Sequence, residues 1–147
     1  MKILCVDDDH IVAKPIIDAL AKEFPGTQIN WVGTESEFYS KFEQIATDHP
    51  SIVIMDVMKL WARASPNLQP PPEEIKKEGI YRAGIRCALR LNSDERTKDI
   101  PIILHTVLNQ TDIEGDMTKL KNTHYLSKEG EGGTFSLIKK IRELLSI

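Results

Sequence analysis

Four short, largely apolar runs punctuate the chain, at Ile3–Val6, Ile29–Val32, Ile52–Met55 and Ile102–Leu104, with a shorter pair at Tyr125–Leu126. Runs of this length lack the alternation of a half-exposed strand. They suit strands covered on both faces of a parallel sheet. Between them the apolar positions change to helical spacing. Ile16, Ile17, Leu20 and Phe24 share one stripe, and Phe38, Phe42 and Ile45 another. Ile80, Ala83, Gly84, Ala88 and Leu91 form a third, Ile113, Met117 and Leu120 a fourth, and Leu137, Ile138, Ile141, Leu144 and Leu145 a fifth. Five strands alternating with five helices predict an α/β fold, a doubly wound five-stranded parallel sheet of the flavodoxin-like kind.

Local signals place some of the boundaries. Thr34 with Glu37, and Thr111 with Glu114, have the T-x-x-E spacing in which a Thr oxygen caps a free backbone N–H and the Glu reaches back. Pro15 is compatible with the first helix if that helix starts near Val12 or kinks at the proline. One segment breaks the alternation: KLWARASPNLQPPPEEIKKE, residues 59–78, has four prolines and no sustained apolar period. Prolines 70–72 favour extended, polyproline-like backbone. The segment reads as a loop inserted between the third strand and third helix of one domain spanning residues 1–147, and loops of such length are usually functional or disordered.

Composition narrows the function classes. With 147 residues, 41% apolar and 28% charged, the chain is long enough for a core without metal or disulfide staples. A net charge of −3 offers no basic field, so neither nucleic acid nor an anionic membrane is an expected partner. Cys5 and Cys87 lie far apart, and Cys5 falls within the first apolar run, as expected of buried, reduced thiols. No run approaches the ~20 apolar residues of a membrane span, and the N-terminus lacks signal-peptide character. The expected location is the cytoplasm.

Ligands of doubly wound sheets collect at the carboxyl ends of the strands. There the sequence puts Asp7, Asp8 and Asp9 after the first strand, Asp56 after the third, Thr106 after the fourth and Lys128 after the fifth. Taken singly, each has a plain explanation, and Asp9 suits a helix cap. Together they are chemically specific. Two carboxylates ~4 Å apart repel by ~4 kcal/mol at an effective dielectric near 20, so the cluster calls for a cation. Hard oxygen donors suit Mg²⁺. With it, one carboxylate can act as nucleophile toward a phosphoryl group, while a lysine and a hydroxyl stabilise the phosphoryl oxygens.

The succession K-I-L-C-V-D-D, I-V-I-M-D, I-P-I-I-L-H-T and Y-L-S-K resembles the receiver domains of bacterial two-component response regulators. The resemblance spans the chain apart from the insertion. It implies a phosphoacceptor at Asp56 and a Mg²⁺ site built by Asp7, Asp8, Asp56 and the Met58 backbone carbonyl. It also implies phosphoryl-contacting roles for Thr106 and Lys128, and a switch in which Thr106 and Tyr125 move on activation. The implied partners are a sensor histidine kinase or histidine phosphotransfer protein as donor, and a downstream protein effector reached by protein–protein contact. The implied mobile surface is the fourth helix, fifth strand and fifth helix, with Gly115 weakening the fourth helix by up to ~1 kcal/mol.

Three positions depart from that family's pattern. Lys59 and the insertion stand where Met-Pro and a nearby Asp-Gly are usual. Glu129 replaces a proline after the lysine, and Val107 a smaller residue. A pseudo-receiver that binds without phosphorylation is therefore the alternative. A haloacid-dehalogenase-type phosphatase could use Asp7-x-Asp9, Thr106 and Lys128, but it needs a later acidic pair; the nineteen residues after Lys128 contain no Asp, and Asp56 would have no role. His10, His49, His105 and His124 show no ligand spacing. Trp61 and Arg63 in the insertion are expected either to contact the kinase or effector or to lie on an exposed tether.

Overall fold

The computed structural model describes residues 1–130 and 133–147. Strands β1 (Lys2–Val6), β2 (Gln28–Val32), β3 (Ile52–Met55), β4 (Ile102–Thr106) and β5 (Thr123–Ser127) form one sheet, all parallel, in the order β2-β1-β3-β4-β5. This is the expected doubly wound α/β architecture. The central strands β3 and β4 are buried along their whole length, which is why their sequences read as unbroken apolar runs.

Helices α1 (His10–Glu23) and α7 (Gly133–Leu145) cover one face; α2 (Glu35–Ser40), α3 (Phe42–Thr47), α5 (Ala83–Ser93) and α6 (Gln110–Met117) cover the other. Strand alternation splits the core accordingly. Ile3, Cys5, Ile54 and Ile103 pack with Leu20, Leu137 and Ile141. Leu4, Val6, Met55 and Leu104 pack with Phe38, Phe42, Ala88 and Leu91. Each fully buried aliphatic side chain contributes about 1.5–3 kcal/mol relative to exposure. Both cysteines are free and buried, and burial pushes each thiol up to about 12.

Among the described residues, seven α-helices stand where five were expected. The second breaks at Lys41 (φ −97°, ψ 0°), yet both halves keep their apolar stripe inward through Phe38, Phe42 and Ile45. The insertion is not wholly irregular either: α4 (Glu73–Glu78) starts directly after the prolines, and a 3₁₀ turn (Ile80–Arg82) leads into α5. Pro72 has the expected polyproline-like backbone (φ −54°, ψ 153°). Pro15 sits in the second turn of α1, later than predicted, because the helix begins at His10. Asp9 caps it, accepting from the Ile11 and Val12 N–H groups.

The two predicted caps fare differently. Thr34 accepts from Glu37 N at 3.3 Å, while Glu37 reaches back to Gly33 N at 3.0 Å, one residue beyond the expected position. Thr111 lies inside α6, whose N-cap is Asn109, and it is Asp112 that reaches back to accept from the Asn109 N–H at 2.9 Å.

Candidate active site

The sheet itself delivers the acids. Asp7 N donates to Val32 O at 3.0 Å and Asp56 N to Val6 O at 2.8 Å, so each acid is the first residue past its strand and still held by the ladder. Lys128 N donates to Thr106 O at 2.9 Å, which fixes the lysine beside the end of β4 in the same way.

Carboxylate oxygens of Asp7, Asp8 and Asp56 all lie within 4.8 Å of one another. The Lys128 ammonium bridges two of them, at 2.7 Å from Asp7 Oδ2 and 3.0 Å from Asp56 Oδ2. All three of these side chains are about a tenth exposed. Asp7 Oδ1 accepts from Asp9 N at 2.9 Å. Asp56 Oδ1 is buried and has no hydrogen-bond partner among the described residues. Such an oxygen is costly unless something binds there. The Met58 carbonyl likewise accepts no hydrogen bond among the described residues. Three clustered carboxylates, one with an orphaned oxygen, fit a hard divalent cation such as Mg²⁺.

Burial raises the Asp56 carboxyl above its ordinary range; Lys128 pulls it back down, and Asp7 pushes it further up. For Lys128 burial works against the charge, but Asp56 and Asp7 outweigh it and its pKa rises. Within the pair each charge favours the other, while burial disfavours both.

Thr106 is fully buried, and its Oγ1 accepts from Leu108 N at 3.2 Å. It stands at the end of β4, next to β3 and thus beside the strand that carries Asp56. Tyr125 is half-buried and donates its hydroxyl to Leu108 O at 2.7 Å, so both expected switch residues are tied to Leu108. His105 lies on the α1/α7 face and lines a small cavity with Cys5, Asp7 and Asp56. Burial, and secondarily Lys128, push it down to about 4, so it is a packed neutral histidine.

Several contributors were not evident from the sequence. The start of the insertion belongs to the site: Leu60 N donates to Asp8 Oδ2 at 2.7 Å, and the buried Lys59 ammonium donates to the Asp56 carbonyl. Arg63 donates to Asp8 O at 3.3 Å and lies 5.7 Å over the Trp31 ring, whose Nε1 donates to Asp7 O at 2.8 Å. Trp61 folds back too, donating to Gln69 O at 3.2 Å. Neither side chain is a free tether. At Gly84, a Cβ would press on the Asp56 carbonyl and stand 2.7 Å from Val57 Cα. Only glycine lets α5 approach the acidic loop so closely. The one sequence signal was a glycine within an apolar helical stripe.

No family model and no curated protein matches the sequence. Solved structures do match. The phosphorylated phytochrome response regulator RcpA of a cyanobacterium shares 20% identity at a TM-score of 0.70, over 99% of this chain and 93% of that one. The signal receiver domain of a DNA-binding response regulator from Colwellia psychrerythraea gives 20% and 0.70, over 100% and 99%. The receiver domain of a sensor histidine kinase from Pseudomonas aeruginosa, with a magnesium ion coordinated in its active site cleft, gives 16% and 0.66, over 99% and 98%. The architecture is thus a flavodoxin-like α/β sheet with an acidic pocket at its carboxyl edge. More specifically, it is the receiver fold of two-component signalling proteins.

Proposed function

We propose that this chain is a single receiver domain that takes a phosphoryl group on Asp56 in a Mg²⁺-dependent reaction and signals by protein–protein contact. One observation carries the reading. Asp56 offers an unpartnered buried oxygen while Lys128 holds its other oxygen and Asp7, leaving a nucleophile beside a divalent-cation cluster.

An oxygen of Asp56 attacks phosphorus. The P–N bond of a phosphohistidine, or the P–O bond of acetyl phosphate, breaks, and imidazole or acetate departs with the electron pair. Bound Mg²⁺, held by Asp7, Asp8, Asp56 and the Met58 carbonyl, would supply positive charge to the phosphoryl oxygens. Lys128 pairs with one of those oxygens, and the Thr106 hydroxyl donates to another. Tyr125, released from Leu108 as Thr106 moves, carries the change outward.

The donor in this reading is a sensor histidine kinase or a histidine phosphotransfer protein, and the recipient a protein effector. The receiver folds of histidine kinases and response regulators among the structural neighbours support such partners. Two buried free thiols accord with the reducing cytoplasm, and no helix among the described residues is long and apolar enough to cross a membrane. The phosphatase alternative weakens further, because Asp9 is spent on the α1 cap.

Incubation with acetyl phosphate and Mg²⁺ should add one phosphoryl mass to the intact protein. The adduct should vanish in Asp56→Ala and without metal. An adduct that persists in Asp56→Ala would overturn the assignment, and an unmodified wild type would favour the pseudo-receiver.

A further inference from the structure

Lys59 is the least expected side chain in the molecule. It is 2% exposed, and among the described residues no carboxylate comes within ion-pair distance of it. Its ammonium donates to the Asp56 carbonyl and touches Met55 Sδ at 3.5 Å. A buried lysine held only by a carbonyl and a thioether is an expensive placement. A methionine or leucine would fill the space more cheaply.

The surrounding backbone shows what the placement achieves. Asp56 O receives the Lys59 side chain, which closes residues 56–59 into a tight turn. Val57 O accepts from Gly84 N at 2.8 Å, and Lys59 N donates to Ile80 O at 3.2 Å. In a trans peptide the C=O and N–H point in opposite directions, so the Lys59–Ile80 bond sets the direction of the Met58 carbonyl. Leu60 N then holds Asp8 Oδ2 at 2.7 Å, and Leu60 O accepts from Glu35 N at 3.0 Å. The Met58 carbonyl is left free between two anchored neighbours.

We propose that Lys59 is a positioning residue for the phosphoacceptor loop: its hydrogen bond to the Asp56 carbonyl holds the turn that aims the Met58 carbonyl and the Asp56 carboxylate at the metal. This rests on the receiver reading and deepens it. The start of the insertion is then part of the metal-binding machinery, acting through Asp56 and Met58 without touching the ion.

The test sets stability against metal affinity in Lys59→Met, which keeps the bulk of the side chain and removes the donor. Mg²⁺ affinity is read from tryptophan fluorescence, since Trp31 donates to Asp7 O. Stability is read from urea melts without metal. The variant should melt at or above wild type, yet bind Mg²⁺ at least about tenfold more weakly, with slower labelling by acetyl phosphate. Mg²⁺ affinity within about twofold of wild type overturns the proposal. If Lys59→Met does not fold, Lys59→Gln is judged by the same criterion. Failure of both to fold overturns it too, because Lys59 would then be holding the fold and not the site. A wild type that neither binds Mg²⁺ nor becomes labelled is a failure of the receiver reading itself, and the Lys59 role falls with it.

Discussion

Asp56 combines burial, an acidic neighbour and a single lysine partner, and its raised pKa means that ionising it in the folded state costs free energy. The carboxylate proposed as nucleophile is therefore a local destabiliser. Asp56→Asn should raise the urea midpoint at pH 7, by roughly 1 kcal/mol in stability, while abolishing labelling; a lower midpoint would show that the pair with Lys128 is net stabilising. His105 acts in the opposite sense. It titrates near 4 when folded and near 6.5 when unfolded, so the unfolded chain binds more protons between those values. Its contribution is full above about pH 6.5 and is lost as pH falls toward 4, up to about 3 kcal/mol. Urea melts at pH 7.5 and 4.5 should show His105→Leu losing less stability on acidification than wild type. Equal losses would mean that another group governs the acid limb.

At the scale of elements, two glycines make opposite predictions from the same substitution. Gly84→Ala gains helix propensity but drives a methyl into the Asp56–Val57 backbone. It should destabilise by about 1–3 kcal/mol and weaken Mg²⁺ binding. Gly115→Ala meets nothing within 4 Å and should stabilise by up to about 1 kcal/mol. Urea denaturation decides both, and a neutral Gly84→Ala would mean that α5 can retreat from the loop. The contrast also shows where sequence reasoning reaches its limit. Both glycines sit in helical patterns, and only the three-dimensional approach of α5 to β3 separates them. The strands were legible because β3 and β4 are buried on both faces, and Asp7, Asp8, Asp56 and Lys128 because they directly follow strands. Lys59 was illegible: a lysine opening a Pro-rich segment reads as solvated, and its burial arises from α2, α5 and the 3₁₀ turn closing over it. The break at Lys41 was hidden for a related reason, since the apolar stripe continues across it.

For the whole molecule, the insertion divides into two parts with different expected roles. Residues 59–63 are built into the acidic pocket through Lys59, Leu60 and Arg63, whereas the stretch beyond them leads over prolines to α4. Removing residues 64–72 should leave labelling by acetyl phosphate within about twofold of wild type and reduce phosphotransfer from the cognate kinase about tenfold or more. Equal loss in both assays would place the outer loop in the chemistry rather than in recognition. Signal output is expected from α6, β5 and α7, with hydrogen exchange over residues 108–135 changing on phosphorylation; residues 131 and 132 of that span lie outside the described structure. Thr106 and Tyr125 both bond to Leu108, so exchange at Leu108 should respond first, and unchanged protection there would exclude this surface as the switch.

The central claim is that Asp56 is the phosphoacceptor, and its most direct test is chemical mapping. Borohydride reduction of the phosphorylated protein converts an aspartyl phosphate to homoserine, and peptide mass spectrometry locates it. The account predicts homoserine at position 56 alone, dependent on Mg²⁺ during phosphorylation. Homoserine at another aspartate of the cluster, or at none in a protein that carries the phosphoryl mass, would contradict it.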